Sequence, residues 1–196
     1  MLRKQVESSI PTAFGEFKIL AFAEHENDLI PHIVLIKEPI NNQEPVLVRI
    51  HSECLTGDLF GSQRCDCGPQ LERSLELISQ SGGILIYMRQ EGRGIGIINK
   101  LKSYQLQDQG IDTAMANTHL GFKIDERSYD EAITILVDLG VKKVNLLTNN
   151  PEKIKAFENG PIKLIERIPL EIKAVRANKK YLETKKKVMG HLLELK

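Results

Sequence analysis

The three cysteines of the chain, Cys54, Cys65 and Cys67, lie close together in the sequence and could hold a metal ion. Thiolates are soft ligands that suit Zn²⁺. Asp66 alone separates the last two cysteines and Gly68 follows them, so a tight turn could direct both sulfur atoms at one ion. Three thiolates with a fourth position open to water form the ligand set of a catalytic zinc, which lowers the pKa of bound water and supplies a hydroxide nucleophile.

Two other interpretations of this segment stay open. A structural zinc would need a fourth protein ligand, and His51 is the nearest candidate. His51 ends an apolar strand, however, and residues three apart on a strand point to opposite faces. The His-Ser-Glu segment at 51–53 resembles the H-x-E of zinc nucleobase deaminases, which would make a zinc purine deaminase. That signature also requires P-C-x-x-C, whereas this chain has Cys65-x-Cys67.

Three further segments could bind phosphate groups. The glycine-rich segment 90–96 would let backbone N–H groups approach an anion, and Arg93 adds a fork of donors. In 148–153 a predicted helix N-terminus and Lys153 favour negative charge. A plain turn and an ordinary capped helix are the alternatives. In the Asp-Glu-Arg segment 125–127, arginine is always protonated, so the residues alone indicate Arg127 as a phosphate clamp or simple surface charge.

The elements that must position these residues follow from hydrophobic periodicity and from turn residues. Apolar runs predict strands at 33–36, 46–50, 84–88, 144–147 and 162–168. Helices are predicted from Pro69, from Gly96 to about Gln109 with Gly110 as cap, from a Ser128–Glu131 capping box to Leu139, and from Asn150-Pro151 to Gly160.

Alternating strands and helices are typical of βαβ units. We therefore predict an α/β fold: one three-layer domain whose mixed, largely parallel sheet is flanked by helices and preceded by a β-rich N-terminal part. Ligands in such sheets collect at the carboxyl ends of the strands, where 89–96 and 148–153 would share an edge.

Composition excludes several classes of protein. The formal net charge is +1, so a strongly basic, nucleic-acid-coating fold is not expected, and a zinc-stabilised RNA-binding module would need a fourth ligand and a basic face. The sequence has no long apolar run for a membrane span and no signal-peptide pattern at its start. Three clustered cysteines suit a reducing compartment, which predicts a cytoplasmic location. The lysine run 185–187 is interpreted as a solvated helix face.

Taken together, several segments closely resemble GTP cyclohydrolase II. They are RIHSECLTGDLFGSQRCDCG (49–68), RQEGRGIG (89–96), YQLQDQGIDT (104–113), LGFKIDERSY (120–129), LLTNNPEK (146–153) and the tail YLETKKKVMGHLL (181–193). The resemblance implies a single domain over 1–196 in the single-function form. It also implies hydrolysis of GTP to 2,5-diamino-6-ribosylamino-4(3H)-pyrimidinone 5′-phosphate, formate and pyrophosphate, the first step of riboflavin biosynthesis. One catalytic Zn²⁺ per chain, Mg²⁺ with the triphosphate, and a homodimer are implied as well.

The same resemblance assigns roles to single residues. Cys54, Cys65 and Cys67 match the zinc ligands, Asp125 the proton acceptor, Arg127 a nucleophile that forms a guanylyl intermediate, and Tyr104 a residue that completes ring opening. GTP contacts are implied at Arg49, Ile50, His51, Ser52, Glu53, Gln70, Glu91, Gly92, Arg93, Thr113, Thr148 and Lys153.

Overall fold

A computed structural model describes residues 1–194, apart from the side chains at positions 113 and 114. The chain forms two compact units. We call the first the sheet unit; it comprises Met1–His51, Leu71–Arg89 and Tyr129–Leu170. The second, the cysteine unit, comprises Ser52–Gln70, Gln90–Ser128 and Glu171–Lys196. A single domain over 1–196 and a shared edge for 89–96 and 148–153 stay predictions.

Seven strands form one sheet in the order β1-β2-β3-β5-β4-β6-β7. Their bounds are Arg3–Thr12 (β1), Gly15–Ala23 (β2), His32–Lys37 (β3), Val46–Ser52 (β4), Gly83–Met88 (β5), Lys143–Leu147 (β6) and Lys163–Ile168 (β7). The mixed sheet and the β-rich N-terminal part are confirmed. Parallel pairing joins β4 to β6 and β6 to β7, whereas β1, β2, β3 and β5 pair antiparallel. The sheet is therefore less parallel than predicted, because the N-terminal strands are joined by short connections that reverse the chain.

Successive residues of each strand pack against opposite faces of the sheet, as the period of a strand requires. Ile84 and Ile86 of β5 belong to one apolar cluster, together with Ile135 of helix α5 (Asp130–Asp138). Leu85 between them belongs to a second cluster, together with Ile78 of helix α2 (Cys67–Ser81). Helices thus cover both faces of the sheet, which confirms the three-layer arrangement.

The remaining helices are mostly short. They are α1 (Leu55–Asp58), a 3₁₀ turn (Glu91–Gly94), α3 (Gly96–Asp108), α4 (Thr113–His119), α6 (Pro151–Lys155) and α7 (Lys179–Met189). No helix within residues 1–194 is long and apolar enough to cross a membrane.

Two of the predicted helix boundaries are confirmed and others shift. Asn150 is the N-cap of α6, where its side chain accepts a 2.9 Å hydrogen bond from the Glu152 N–H. Gly110 follows the end of α3 with a φ of +96°, a conformation that favours glycine. The capping box is wrong, because Tyr129 occupies the N-cap of α5 and makes no side-chain cap bond. Helix α6 ends at Lys155, before Gly160, and α2 begins at Cys67, before Pro69.

Candidate metal centre

The three thiol groups converge within the cysteine unit. Their Sγ atoms all lie within 4.8 Å of one another, and those of Cys54 and Cys65 are 3.6 Å apart. Zinc–sulfur bonds of ~2.3 Å in a tetrahedron place neighbouring sulfur atoms ~3.8 Å apart, so the spacing fits three ligands of one zinc ion. Among residues 1–194, the converging metal-binding groups are these three cysteines, without His51. The described residues therefore offer three protein ligands to one ion.

Local backbone structure places each sulfur. Cys54 is the N-cap of α1, and its N–H donates to the Asp58 carboxylate at 2.9 Å. Cys67 is the first residue of α2. A Cβ atom at Gly57 would lie 2.9 Å from the Cys65 Sγ, closer than real contacts allow, and 3.2 Å from the Cys54 Sγ, which is tighter than most. Gly57 therefore leaves the space in which the thiols meet.

The charge balance of the cluster also suits a cation. Lys100 donates from its Nζ to the Cys54 Sγ at 3.1 Å and to Glu91 at 2.8 Å. Hydrogen bonds from the other two cysteines, with help from Lys100, lower the pKa of Cys54. The hydrogen bonds that Cys65 and Cys67 make to the Cys54 thiolate favour their protonated forms. They raise the pKa of Cys65 to about 11 and also raise the pKa of Cys67. A divalent cation would remove this competition and let all three thiols ionise.

A pocket of roughly 680 Å³, counting the part open to solvent, adjoins the cluster. All of its lining residues belong to the cysteine unit. They are Ser52, Glu53, Cys54, Arg64, Cys65, Cys67, Glu91, Gly92, Arg93, Ile95, Lys100, Ser103, Tyr104, Gln107, Asn117, Arg127 and Tyr181.

The predicted glycine loop lies between β5 and α3 and holds Arg93 in the pocket wall. Arg93 has a φ of +65°, a conformation that non-glycine residues rarely adopt. Gly92 and Gly94 beside it also have positive φ, and a Cβ at Gly94 would lie 3.1 Å from the Glu126 side chain. The Nη2 atom of Arg93 is buried without a hydrogen-bond partner. A buried guanidinium N–H in a pocket is suited to an anionic ligand.

Asp125 and Arg127 form a bidentate pair in the cysteine unit. The Arg127 Nε and Nη2 atoms donate to the two Asp125 oxygens at 2.8 and 2.5 Å. Burial would raise the pKa of Asp125, but its hydrogen bonds and charge interaction with Arg127 lower it overall. Both groups are therefore ionised at neutral pH, with Arg127 facing the pocket as a cation.

Tyr104 of α3 lies near the thiol cluster. Its hydroxyl is 3.4 Å from the Thr56 Oγ1, and the Arg64 guanidinium lies over its ring at 4.7 Å. Burial is the main cause that raises the pKa of Tyr104, so its hydroxyl keeps its proton at neutral pH.

Other predicted contacts in this unit have structural partners. The Glu91 carboxylate accepts from the Leu55 N–H and the Gly92 N–H, both at 2.6 Å, as well as from Lys100. Glu91 thus ties the glycine loop to the first residue of α1. Gln70 donates to the Asp66 carboxylate. Thr113 begins α4, and its side chain lies outside the described residues.

Five predicted residues belong to the sheet unit. Lys153 of α6 is buried and donates from its Nζ to the Ile50 carbonyl at 2.6 Å. Arg49 donates to the Leu147 carbonyl at 2.9 Å, and the His51 ring stacks on Tyr87. The five predicted GTP contacts in this unit lie on or after the carboxyl-terminal parts of β4 and β6. They are Arg49, Ile50, His51, Thr148 and Lys153.

Sequence reasoning missed several residues. Lys100, Arg64 and Tyr181 line the pocket. Arg64 directly precedes Cys65 and Tyr181 begins the segment 181–193, but a single arginine or tyrosine there gave no sign of its role, and Lys100 lies outside every segment that resembles the family. The interpretation of the 185–187 run as solvated is wrong for Lys185. It is 9% exposed and donates to Asp66 at 2.6 Å, whereas Lys186 and Lys187 are exposed as predicted.

Fold and site together define an α/β protein with three thiols that could hold a metal ion beside a pocket lined by arginine side chains. Residues 3–169 match the model of the GTP cyclohydrolase II family, and the chain belongs to that family.

Curated relatives carry the name riboflavin biosynthesis protein RibBA. The protein from Chlorobium phaeovibrioides is 52% identical over 194 residues, which are 98% of this chain and 47% of that protein. The protein from Bacillus cereus strain B4264 is 51% identical over 196 residues, 100% of this chain and 49% of that protein. The chain thus spans about half the length of the curated relatives it matches, and the single-function form stays a prediction.

One solved structure is similar at a low level. It is RibBX, a two-domain 3,4-dihydroxy-2-butanone 4-phosphate synthase from A. baumannii, with a TM-score of 0.47 and 20% identity. The match covers 85% of this chain and 40% of that one, and it is too weak to support a conclusion.

Proposed function

We propose that this chain hydrolyses GTP to 2,5-diamino-6-ribosylamino-4(3H)-pyrimidinone 5′-phosphate, formate and pyrophosphate, the first step of riboflavin biosynthesis. Family membership and the names of the relatives support this proposal. The observation that carries it is the convergence of three thiols in a pocket that also presents the Arg93 and Arg127 guanidinium groups. A purine nucleotide offers an electron-poor ring carbon to a metal ion held by the thiols, and it offers phosphate groups to the two guanidinium groups.

Cys54, Cys65 and Cys67 would hold one zinc ion, which supplies an activated water for hydrolysis at C8 of the guanine. One hydrolysis opens the imidazole ring, and a second at the same carbon releases it as formate. The Tyr104 hydroxyl, which keeps its proton, would donate a hydrogen bond to the opened ring. Glu53 and Gln70 would orient the base, since hydrogen bonding is how a site selects guanine over adenine.

Arg93 and Arg127 would bind the phosphates, together with Mg²⁺ and Lys153. We assign Arg127 as a charged clamp at the α-phosphate. To act as a nucleophile, its guanidinium would have to lose a proton to Asp125, and the lowered pKa of Asp125 opposes that transfer. Mass spectrometry of reactions quenched with a denaturant at neutral pH distinguishes these roles, because acid would hydrolyse a P–N bond to arginine. A guanylyl group on Arg127 would show that it is the nucleophile.

The remaining parts of the proposal rest on the family resemblance and on composition. They are GTP contacts at the other predicted positions, a homodimer, and a small-molecule substrate in place of a nucleic acid or a membrane. A cytoplasmic location is supported by three cysteines that are all free thiols.

The decisive test incubates zinc-loaded protein with GTP and Mg²⁺ and measures formate and pyrophosphate together. We expect equal amounts of both products. Cys65→Ser should abolish formate release, and Tyr104→Phe should lower formate more than pyrophosphate. Ammonia in place of formate would identify a purine deaminase. A zinc-loaded, folded chain that releases neither product would contradict the proposal.

A further inference from the structure

The residue between two of the zinc ligands, Asp66, is enclosed by partners. Only 2% of its surface is exposed, although it is a carboxylate. One oxygen accepts from the Lys185 Nζ at 2.6 Å, and the other accepts from the Gln70 side chain. A buried carboxylate without partners would be strongly unfavourable, so the conformation of the Cys65–Cys67 turn depends on these partners.

The same turn has a second contact with the C-terminal segment. Asn178 is the N-cap residue of α7 and is buried, and its Nδ2 donates to the Cys65 carbonyl at 3.4 Å. Its Oδ1 accepts from the Val175 N–H at 2.9 Å, which fixes the orientation of the amide. Helix α7 therefore meets the turn at its N-cap and again, near its C-terminal end, at Lys185.

Helix α7 is itself anchored in the cysteine unit. Leu182 is buried, and the Thr184 hydroxyl donates to Asp112 at 3.3 Å. The Lys185 ammonium also lies over the Tyr181 ring at 4.6 Å. These contacts fix Lys185 on one helix turn, whereas its neighbours Lys186 and Lys187 are exposed.

Charge gives Lys185 a further role when a metal is bound. A zinc ion with three thiolates carries a net charge of −1, and Asp66 adds another negative charge between two of the ligands. Lys185 and Lys100 supply two positive charges beside this group, through Asp66 and Cys54 respectively. The match to the family model ends at residue 169, so Asn178 and Lys185 lie outside it.

We propose that helix α7 braces the zinc-binding turn, with Lys185 as a positioning residue that holds Asp66 and, through it, Cys65 and Cys67. This inference rests on the proposed zinc site but not on the reaction. Groups that orient metal ligands typically change metal affinity 10–100-fold when they are removed.

The experiment measures the rate at which a chelator removes zinc from the full-length, zinc-loaded chain. The variants are Lys185→Gln, Asp66→Asn and the double variant, and Lys186→Gln is the control on the same helix. We expect Lys185→Gln to release zinc about 10–100-fold faster than the unaltered chain. Lys186→Gln should match the unaltered chain. The increase in zinc-release rate in the double variant should be smaller than the two single increases combined, because the double variant leaves no unpaired buried charge.

Thermal unfolding of the metal-free proteins separates bracing from general stability. If Lys185 only stabilises the helix, Lys185→Gln will lower the melting temperature but release zinc at the unaltered rate, and the inference is wrong. Strict additivity in the double variant would contradict the pairing. If Lys185→Gln does not fold, Asp66→Asn and Lys185→Arg are compared with Lys186→Gln by the same criterion. An unaltered chain that binds no zinc would overturn both this inference and the proposed metal site, whereas unaltered zinc release from the Lys185 variants would overturn this inference alone.

Discussion

The sheet unit and the cysteine unit have different interiors. Both apolar clusters lie in the sheet unit, as do all of the largest fully buried side chains, such as Phe17 and Phe22. Its buried polar residues gather at the carboxyl ends of β4 and β6, apart from Ser74. Among its described residues, the cysteine unit buries few apolar side chains, and two of these are Cys54 and Cys65. Its buried polar residues are Asp66, Lys100, Ser103, Asn117, Asn178, Thr184 and Lys185.

This difference indicates two sources of order. Burial of apolar surface is non-directional and scales with area, so it stabilises the sheet unit without fixing any single contact. Buried charges are favourable only with well-placed partners, so the interior of the cysteine unit depends on specific pairs. A unit organised in this way can hold charged groups ready for a ligand, but a single lost partner has a large local effect.

The largest expected effect tests the apolar interior of the sheet unit. Ile135 of α5 is fully buried, and Ile135→Ala should lower the free energy of unfolding by about 3–5 kcal/mol because it leaves a cavity. Val137→Ala, at a position 48% exposed on the same helix, should change it by less than ~0.5 kcal/mol. Chemical denaturation measures both. Equal effects would mean that α5 does not pack as described.

The second prediction concerns a buried pair in the cysteine unit. Lys100→Gln leaves Glu91 and Cys54 without their cation, and loss of one partner of a buried pair costs about 3–5 kcal/mol. Since about a tenth of each side chain of the Lys100–Glu91 pair is exposed, we expect roughly 2–3 kcal/mol. Hydrogen exchange of the α3 amides reports this loss, and Lys102→Gln on the same helix is the exposed control. Unchanged hydrogen exchange in Lys100→Gln would contradict the conclusion that the interior of the cysteine unit depends on specific buried pairs.

How much could be predicted from the sequence follows the same division. Strands such as 84–88 were located because an apolar run bounded by glycine is a local signal. Strand direction was predicted less well, since whether β3 pairs parallel or antiparallel depends on its neighbour in space. Where a helix begins depends on competing local hydrogen bonds. Helix α5 begins one residue later than the capping box predicts.

The thiol cluster could be predicted because its ligands are close in sequence and chemically distinctive. Lys100 and Lys185 could not, since a lysine in a charged helix carries no sign of burial. Lys185 is 119 positions from its partner Asp66, and its neighbours in the 185–187 run are exposed. Only the fold separates the buried lysine from the solvated ones.

A smaller effect is expected where backbone space is limiting. Gly57→Ala would place a Cβ atom 2.9 Å from the Cys65 Sγ, so the thiols must shift apart. We expect zinc affinity to fall about tenfold, which corresponds to ~1.4 kcal/mol. Gly160→Ala in the sheet unit, where the new atom would meet ordinary contacts of 3.7 Å or more, should leave zinc affinity unchanged. Competition with a chelator of known affinity measures both, and an unchanged affinity for Gly57→Ala would show that the cluster tolerates a wider spacing.

The smallest expected effect concerns Asn150, a buried polar residue of the sheet unit. Asn150→Ala removes the N-cap of α6, which should cost about 1 kcal/mol of unfolding free energy. The Asn150 Nδ2 also donates to the Tyr129 hydroxyl at 3.2 Å, and Asn150→Asp separates the two contributions because aspartate keeps the capping oxygen. We expect Asn150→Asp to recover most of the loss in chemical denaturation. If Asn150→Ala destabilised the chain more than Lys100→Gln, polar pairing would be as important in the sheet unit as in the cysteine unit. The two units would then differ in the composition of their interiors but not in the kind of interaction that stabilises them.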